Sequence, residues 1–166
     1  MALTNEQYLL LRQDIAADAT LAEVPQTAAG AMFVAETYNL PAAPDYWVWK
    51  TSVAPEIYTG ATSIIWTAVD QLAGGKARIF EWMTGGLTQA INAADPNIQA
   101  GIREAFGPGS QTTANLLALA RRLASRAEQL YATGTGTPAA PGTMTFEGAI
   151  QWEDVFIAWG IWGLPA

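Results

Sequence analysis

Apolar residues recur at three- and four-residue spacing in several stretches of this chain, and most of these stretches open on a residue able to cap a helix. Thr4 to Gln7 reads as a capping box: the threonine oxygen accepts from an orphan amide and the glutamine side chain reaches back. Tyr8, Leu11 and Ile15 then form a stripe opposite Arg12 and Asp14, which predicts a helix over Thr4 to Ala19, broken by Thr20 to Pro25. A second helix is expected over Gln26 to Tyr38, with a face of Ala28, Ala29, Ala31 and Ala35 that permits close approach to a neighbour, and Asn39 and Pro41 end it. Ile65, Val69 and Leu72 predict a helix over Thr62 to Leu72 with Gly74 as its cap, and Lys76 to Met83 reads as a short continuation. Asp95 and Pro96 start a helix carrying Ile98, Ile102 and Phe106. Ser110 caps the longest one, expected to run to Thr133 on Leu116, Leu119 or Ala120, Leu123, Ala127 and Leu130, with Arg121, Arg122 and Arg126 away from that stripe.

Two regions break the helical period. Pro41 to Ala61 holds three prolines and the run Tyr46-Trp47-Val48-Trp49, which favours an extended segment. Thr143 to Phe146 alternates in period two, Glu147-Gly148 reads as a turn, and Ala149 to Trp152 can return, so a short hairpin is expected near 143–152. A last helix spans about Trp152 to Trp159, after which GIWGLPA cannot continue one. The pattern predicts a mainly α fold: a helical bundle with a short β-hairpin and an extended C-terminal tail. Residues 1–158 are expected to form a single helical domain, and 159–166 an apolar docking tail.

Composition narrows the chemistry. The chain has 166 residues, long enough for a domain with its own core, and with only 14% charged residues it is too apolar for disorder and has no run long enough to span a bilayer. The N-terminal MALTNEQYLLLRQD lacks a basic region before its apolar stretch, so a secretory signal is not expected. A net charge of −7, with eight Lys and Arg spread along the chain, argues against binding nucleic acid. There is no cysteine and no histidine, which excludes disulfides and thiolate or imidazole metal sites and leaves only carboxylate, Lys, Tyr or Ser-Lys mechanisms.

The run ATGTGTPAAPG has the look of a phosphate-cradling loop. Such a loop needs a strand before its glycines and a helix N-terminus after them; here the predicted helix comes first and Pro138 and Pro141 follow, so a helix stop and extended connector are expected, delivering the TMTFEG hairpin as an arm. Glu147, Glu153 and Asp154 are close in sequence, but acids at a turn and a helix start are what a favourable dipole selects. Arg121, Arg122 and Arg126 read either as a solvated helix face or as a contact to carboxylates of an adjacent subunit. Trp47 and Trp49 share one side of an extended segment, as core or as an intersubunit anchor. Trp159, Ile161, Trp162 and Leu164 form an apolar terminus that either docks on a partner or folds back on its own domain.

The segments DYWVWKTSV, VDQLAGGKARIFEWM, IREAFGPGS and RRLASRAEQLYATGTGTPAAPGTMTFEGAIQWEDV resemble tailed-bacteriophage proteins of the head-to-tail connector, or adaptor, kind, over about Pro44 to Phe156. The resemblance implies a structural virion protein, neither enzyme nor cofactor carrier, made in the bacterial cytoplasm and residing in the phage neck. It implies a homo-oligomeric ring, a dodecamer on this expectation, between the portal protein and a tail-side neck or tail terminator protein. DNA passes through such a ring without specific binding, and no membrane is involved. The alternatives are another neck, tail or capsid accessory protein of the phage or, from a different class, a small carboxylate hydrolase using the acids near the hairpin.

Overall fold

A computed structural model describes residues 3–54, 64–83 and 90–163. The fold is mainly α, about 51% helical, with nine helices and four very short strands among the described residues. In chain order these are α1 (Asn5–Ala17), α2 (Ala19–Ala22), α3 (Ala28–Asn39), β1 (Trp47–Trp49), α4 (Trp66–Asp70), α5 (Gly74–Met83), α6 (Pro96–Phe106), α7 (Gln111–Leu119), β2 (Arg121–Leu123), α8 (Arg126–Leu130), β3 (Ala132–Thr133), β4 (Thr143–Met144) and α9 (Trp152–Trp159). Where a single domain over 1–158 was expected, the chain divides into two compact units, one made of residues up to Trp47 and from Leu123 onward, the other of Val48–Arg122.

The first unit is built on α1, α3 and α9. Thr4 and Gln7 form the predicted capping box, and Tyr8, Leu11 and Ile15 are the buried stripe of α1. Asp18 ends that helix and caps the one-turn α2 by accepting from the Thr20 and Leu21 amides, a start that the sequence pattern did not reveal. Helix α3 buries Ala31, Val34, Ala35 and Tyr38, whereas Ala28 and Ala29 of the expected alanine face are exposed. Helix α9 packs on both α1 and α3, and its Val155 and Ala158 close a core with Leu11, Leu21 and Ile150. In the second unit Trp49, Val53, Ile64, Ile91, Ile102 and Leu116 form a separate core. There α6 starts as expected on the Asp95 cap with proline in its first turn. Gly74, expected to cap the helix before it, opens α5 instead. Thr62 and Ser63 of the expected third helix lie outside the described residues.

The long helix expected over Ser110 to Thr133 does not exist as one element. It stops at Ala120, becomes β2, restarts as α8 on a Ser125–Glu128 capping box and passes into β3. The backbone groups freed by the break are taken by residues 40–50. The Lys50 amide donates to the Ala120 carbonyl at 2.8 Å, the Ala124 amide to Tyr46 at 2.8 Å, the Ala42 amide to Ala124 at 3.0 Å and the Arg126 amide to Leu40 at 2.9 Å. A buried backbone group must find a partner, and here partners come from a distant segment in place of the next turn.

The hairpin also differs from its expected position. Strand β4 pairs antiparallel with β3, Ala132 opposite Met144 and Thr133 opposite Thr143, so the GTGTPAAPG run is its loop and 149–152 is no second strand. That loop is held against its own unit and is not an arm. The Trp47 amide donates to the Gly136 carbonyl at 2.7 Å, the Gly142 amide to Trp47 at 2.8 Å and the Tyr46 hydroxyl to the Gly134 carbonyl at 3.0 Å. Gly136 has φ +64 and a Cβ there would overlap the Tyr46 ring, so the loop needs glycine on both grounds.

Candidate interaction surface

Helix α9 is where the sequence concentrates large aromatic side chains at helical spacing, and it presents them on one side. Its first turn carries a reciprocal cap between Gln151 and Asp154, and Asp154 also accepts from the Tyr8 hydroxyl at 2.8 Å, which ties the helix to α1. Burial raises the Tyr8 pKa to about 12, helped by this carboxylate, so the phenol remains a donor at any ordinary pH. Asn39 fixes the segment before α9 from the other flank, donating to the Ile150 carbonyl at 2.9 Å and accepting from its amide at 2.8 Å. Gly160 then ends α9 in the left-handed conformation, and the chain turns back so that the Ile161 amide donates to the Phe156 carbonyl at 3.0 Å.

This turn assembles four rings. Trp162 stacks on Phe156 at 5.3 Å between centroids and meets Trp152 edge-on at 5.6 Å, while Phe156 also meets Trp152 at 5.4 Å and Trp159 at 6.0 Å. Trp152, Phe156 and Trp159 are half-buried against the core of the first unit, and Trp162 and Ile161 remain 43% and 45% exposed. The apolar band continues sideways. Trp152 shares a hollow of about 160 Å³ with Met32 and Glu36 of α3, and Trp162 shares another with Leu9 and Arg12 of α1.

The residues singled out from sequence fall in different places. Trp159 belongs to α9 itself and Trp162 lies on its own domain's rings, so the expected free tail is folded back at least to that point; Leu164 lies outside the described residues. Trp49 is buried in the core of the second unit, Trp47 is half-buried in β1, and Val48 between them is fully buried. Arg121 and Arg122 are half-buried on β2, and Arg126 stands apart from them on α8. Its guanidinium bridges Asp14 and Asp18, each at 2.9 Å, and lies 4.7 Å from the Tyr38 ring centroid. The Tyr38 hydroxyl donates to Asp14. The arginine trio expected on one helix face is therefore not a patch. Sequence reading passed over Trp152 and Phe156, although their i, i+4 spacing with Trp159 three further on marks a common side.

Burial opposes the charge on Arg126, but its hydrogen bonds to Asp14 and Asp18 outweigh this and hold its pKa above the usual arginine value. The Asp18 carboxyl is lowered by the Leu21 amide and by Arg126. A depressed carboxylate contributes stability that is present above its unfolded pKa and is lost as pH falls through the folded one. Asp18→Asn keeps a capping side chain but loses the ion pair. It should therefore lower the melting temperature at neutral pH, and the gap to the parent should close below pH 4 or so. A gap of constant size across an acid titration would show that the pair contributes nothing.

Among the described residues no cluster of three or more acidic groups could hold a metal ion, and no helix is long and apolar enough to cross a membrane. Of the acids near the hairpin, Glu147 is exposed and Asp154 uses one oxygen for Tyr8 and the other for the Gln151 amide. Compared with family models, with curated proteins and with solved structures, the chain matches none.

Proposed function

We propose that this is a structural protein of a tailed-phage virion, a head-to-tail connector that assembles as a ring, joins the portal vertex to the tail and leaves a passage for DNA. The observation that carries the reading is the aromatic band on α9, whose Trp162 and Ile161 stay substantially exposed beside exposed Leu9 and Met32. A contiguous apolar surface of this kind marks an interaction site. The segments that resemble the connector family and the net charge of −7 add to it, because an acidic wall repels passing DNA, as a conduit requires. Ring closure needs two different patches per copy, and partners above and below need further surface.

A carboxylate hydrolase is less well supported, since Asp154 is committed to holding α9 in place. An accessory protein of the same virion would use the same band without forming a ring. The mass of the purified protein, alone and with portal protein, separates the two. The connector reading expects an assembly many times the 17.7 kDa chain, at least on the portal, and a monomer under both conditions would overturn it.

A further inference from the structure

Charge is divided unequally between the two units. The first holds two arginines, Arg12 and Arg126, against ten carboxylates, a formal −8; the second holds six cations and five carboxylates, a formal +1. Arg126 is already spent on Asp14 and Asp18, so Arg12 is the only other cation in the first unit's sequence. The aromatic band lies on this acidic unit. Glu36 lines the same hollow as Trp152 and Met32, and Glu153 follows Trp152 in the first turn of α9. The band is thus apolar along its middle, with carboxylates near its Trp152 end and Arg12 in the hollow beside Trp162.

We propose that this face docks a cationic amphipathic segment of a different protein, with apolar side chains on the Trp152–Phe156–Trp162 rings and lysines or arginines toward Glu36 and Glu153. Tryptophan faces also attract such cations directly. Nucleic acid and anionic lipid are repelled by the unit's charge. A second copy is a poor occupant, because the chain carries −7 overall, its second unit offers a net of only +1, and the Lys50 amine there is held by the Leu119 carbonyl at 2.8 Å. The proposal deepens the connector reading by giving the chemistry of what docks on the band. It leaves ring closure to other surfaces.

The test titrates the full chain with a synthetic amphipathic helix of leucine and lysine, and with its counterpart carrying glutamate in place of lysine, followed by tryptophan fluorescence and calorimetry. The lysine peptide should bind and the glutamate peptide should not. Trp162→Ala should weaken binding by about tenfold or more, as removal of a hot-spot aromatic does. Trp162→Phe should restore most of it, with both variants melting near the parent. Glu36→Gln with Glu153→Gln should weaken binding several-fold and flatten its salt dependence. Equal binding of both peptides, no binding of either, or lysine-peptide affinity indifferent to Trp162→Ala would overturn the proposal. So would self-association of the free chain that Trp162→Ala abolishes, since the band would then belong to a second copy. A ring that ignores the peptide leaves the connector reading standing, and a monomer that binds it removes that reading while keeping the docking face.

Discussion

Gly30→Ala should destabilise the first unit by about 1–3 kcal/mol and lower its melting temperature by several degrees, although alanine is the better helix former. The two effects oppose each other, which makes the sign informative. In a helix interior, replacing glycine with alanine gains about 1 kcal/mol from propensity alone. Here Gly30 is buried in the first turn of α3, its amide donating to the Thr27 cap at 3.2 Å, and a Cβ built on it would overlap the Pro25 carbonyl oxygen and come 2.9 Å from a Val24 methyl. The obstacle is mainly backbone, so no rotamer change relieves it. Residues 24–27 would have to move away from α3, and Leu21 and Val24, which pack on the core just before them, would lose contact. Thermal and urea unfolding of the variant decide the matter. A gain in stability would mean that the 24–27 turn yields freely and that propensity governs this position.

How much of this was legible in sequence depends on whether the deciding interaction is local. The starts of α1, α6 and α7 were readable because their caps are a few residues from the amides they satisfy: Thr4 with Gln7, Asp95 with Asn97, Ser110 with Thr113. The break between α7 and α8 was not. Leu116, Ala120, Leu123, Ala127 and Leu130 keep the spacing of one continuous helical stripe whether or not the helix continues, and what ends it is pairing with residues 40–50, some eighty positions earlier. The local clue was the Ser125–Glu128 capping box, a start signal inside an apparent helix. The hairpin depends on the same break, because Ala132 and Thr133, the partners of Met144 and Thr143, are free to form a strand only where the helix does not continue through them. The candidate surface was half legible. The i, i+4 and i+7 spacing of Trp152, Phe156 and Trp159 carries a signal for one side of a helix, though sequence reading passes over it, and the return of Trp162 onto them depends on the left-handed turn at Gly160, which a terminal Gly-Ile-Trp-Gly run permits without specifying.

Arg126→Glu should cost the first unit about 2–4 kcal/mol, enough to leave much of the population unfolded at moderate temperature, and any loss of assembly it causes should follow from that. The guanidinium ties four elements together: it bridges Asp14 near the end of α1 to Asp18 at the cap of α2, from the first turn of α8, and covers the Tyr38 ring of α3. Reversal removes both ion pairs and sets a third carboxylate beside the other two, while the Tyr38 hydroxyl can answer only Asp14. Asp14 and Arg126 remain 36% and 29% exposed at the side chain, so water screens part of this repulsion and the cost stays below that of a fully buried pair. Arg126→Met keeps the packing stem and removes only the charge, and should cost about half as much. The comparison also settles which of two roles the residue has. Read from sequence, Arg126 belongs with Arg121 and Arg122 to a face that is either solvated or meets carboxylates of a neighbouring copy or of the portal, and in the second case reversal weakens assembly and spares the monomer. On the structure it braces its own domain, so reversal lowers the melting temperature of the isolated chain. A variant that melts like the parent while failing to assemble would return Arg126 to the interface and leave the α1–α2–α8 brace without energetic weight.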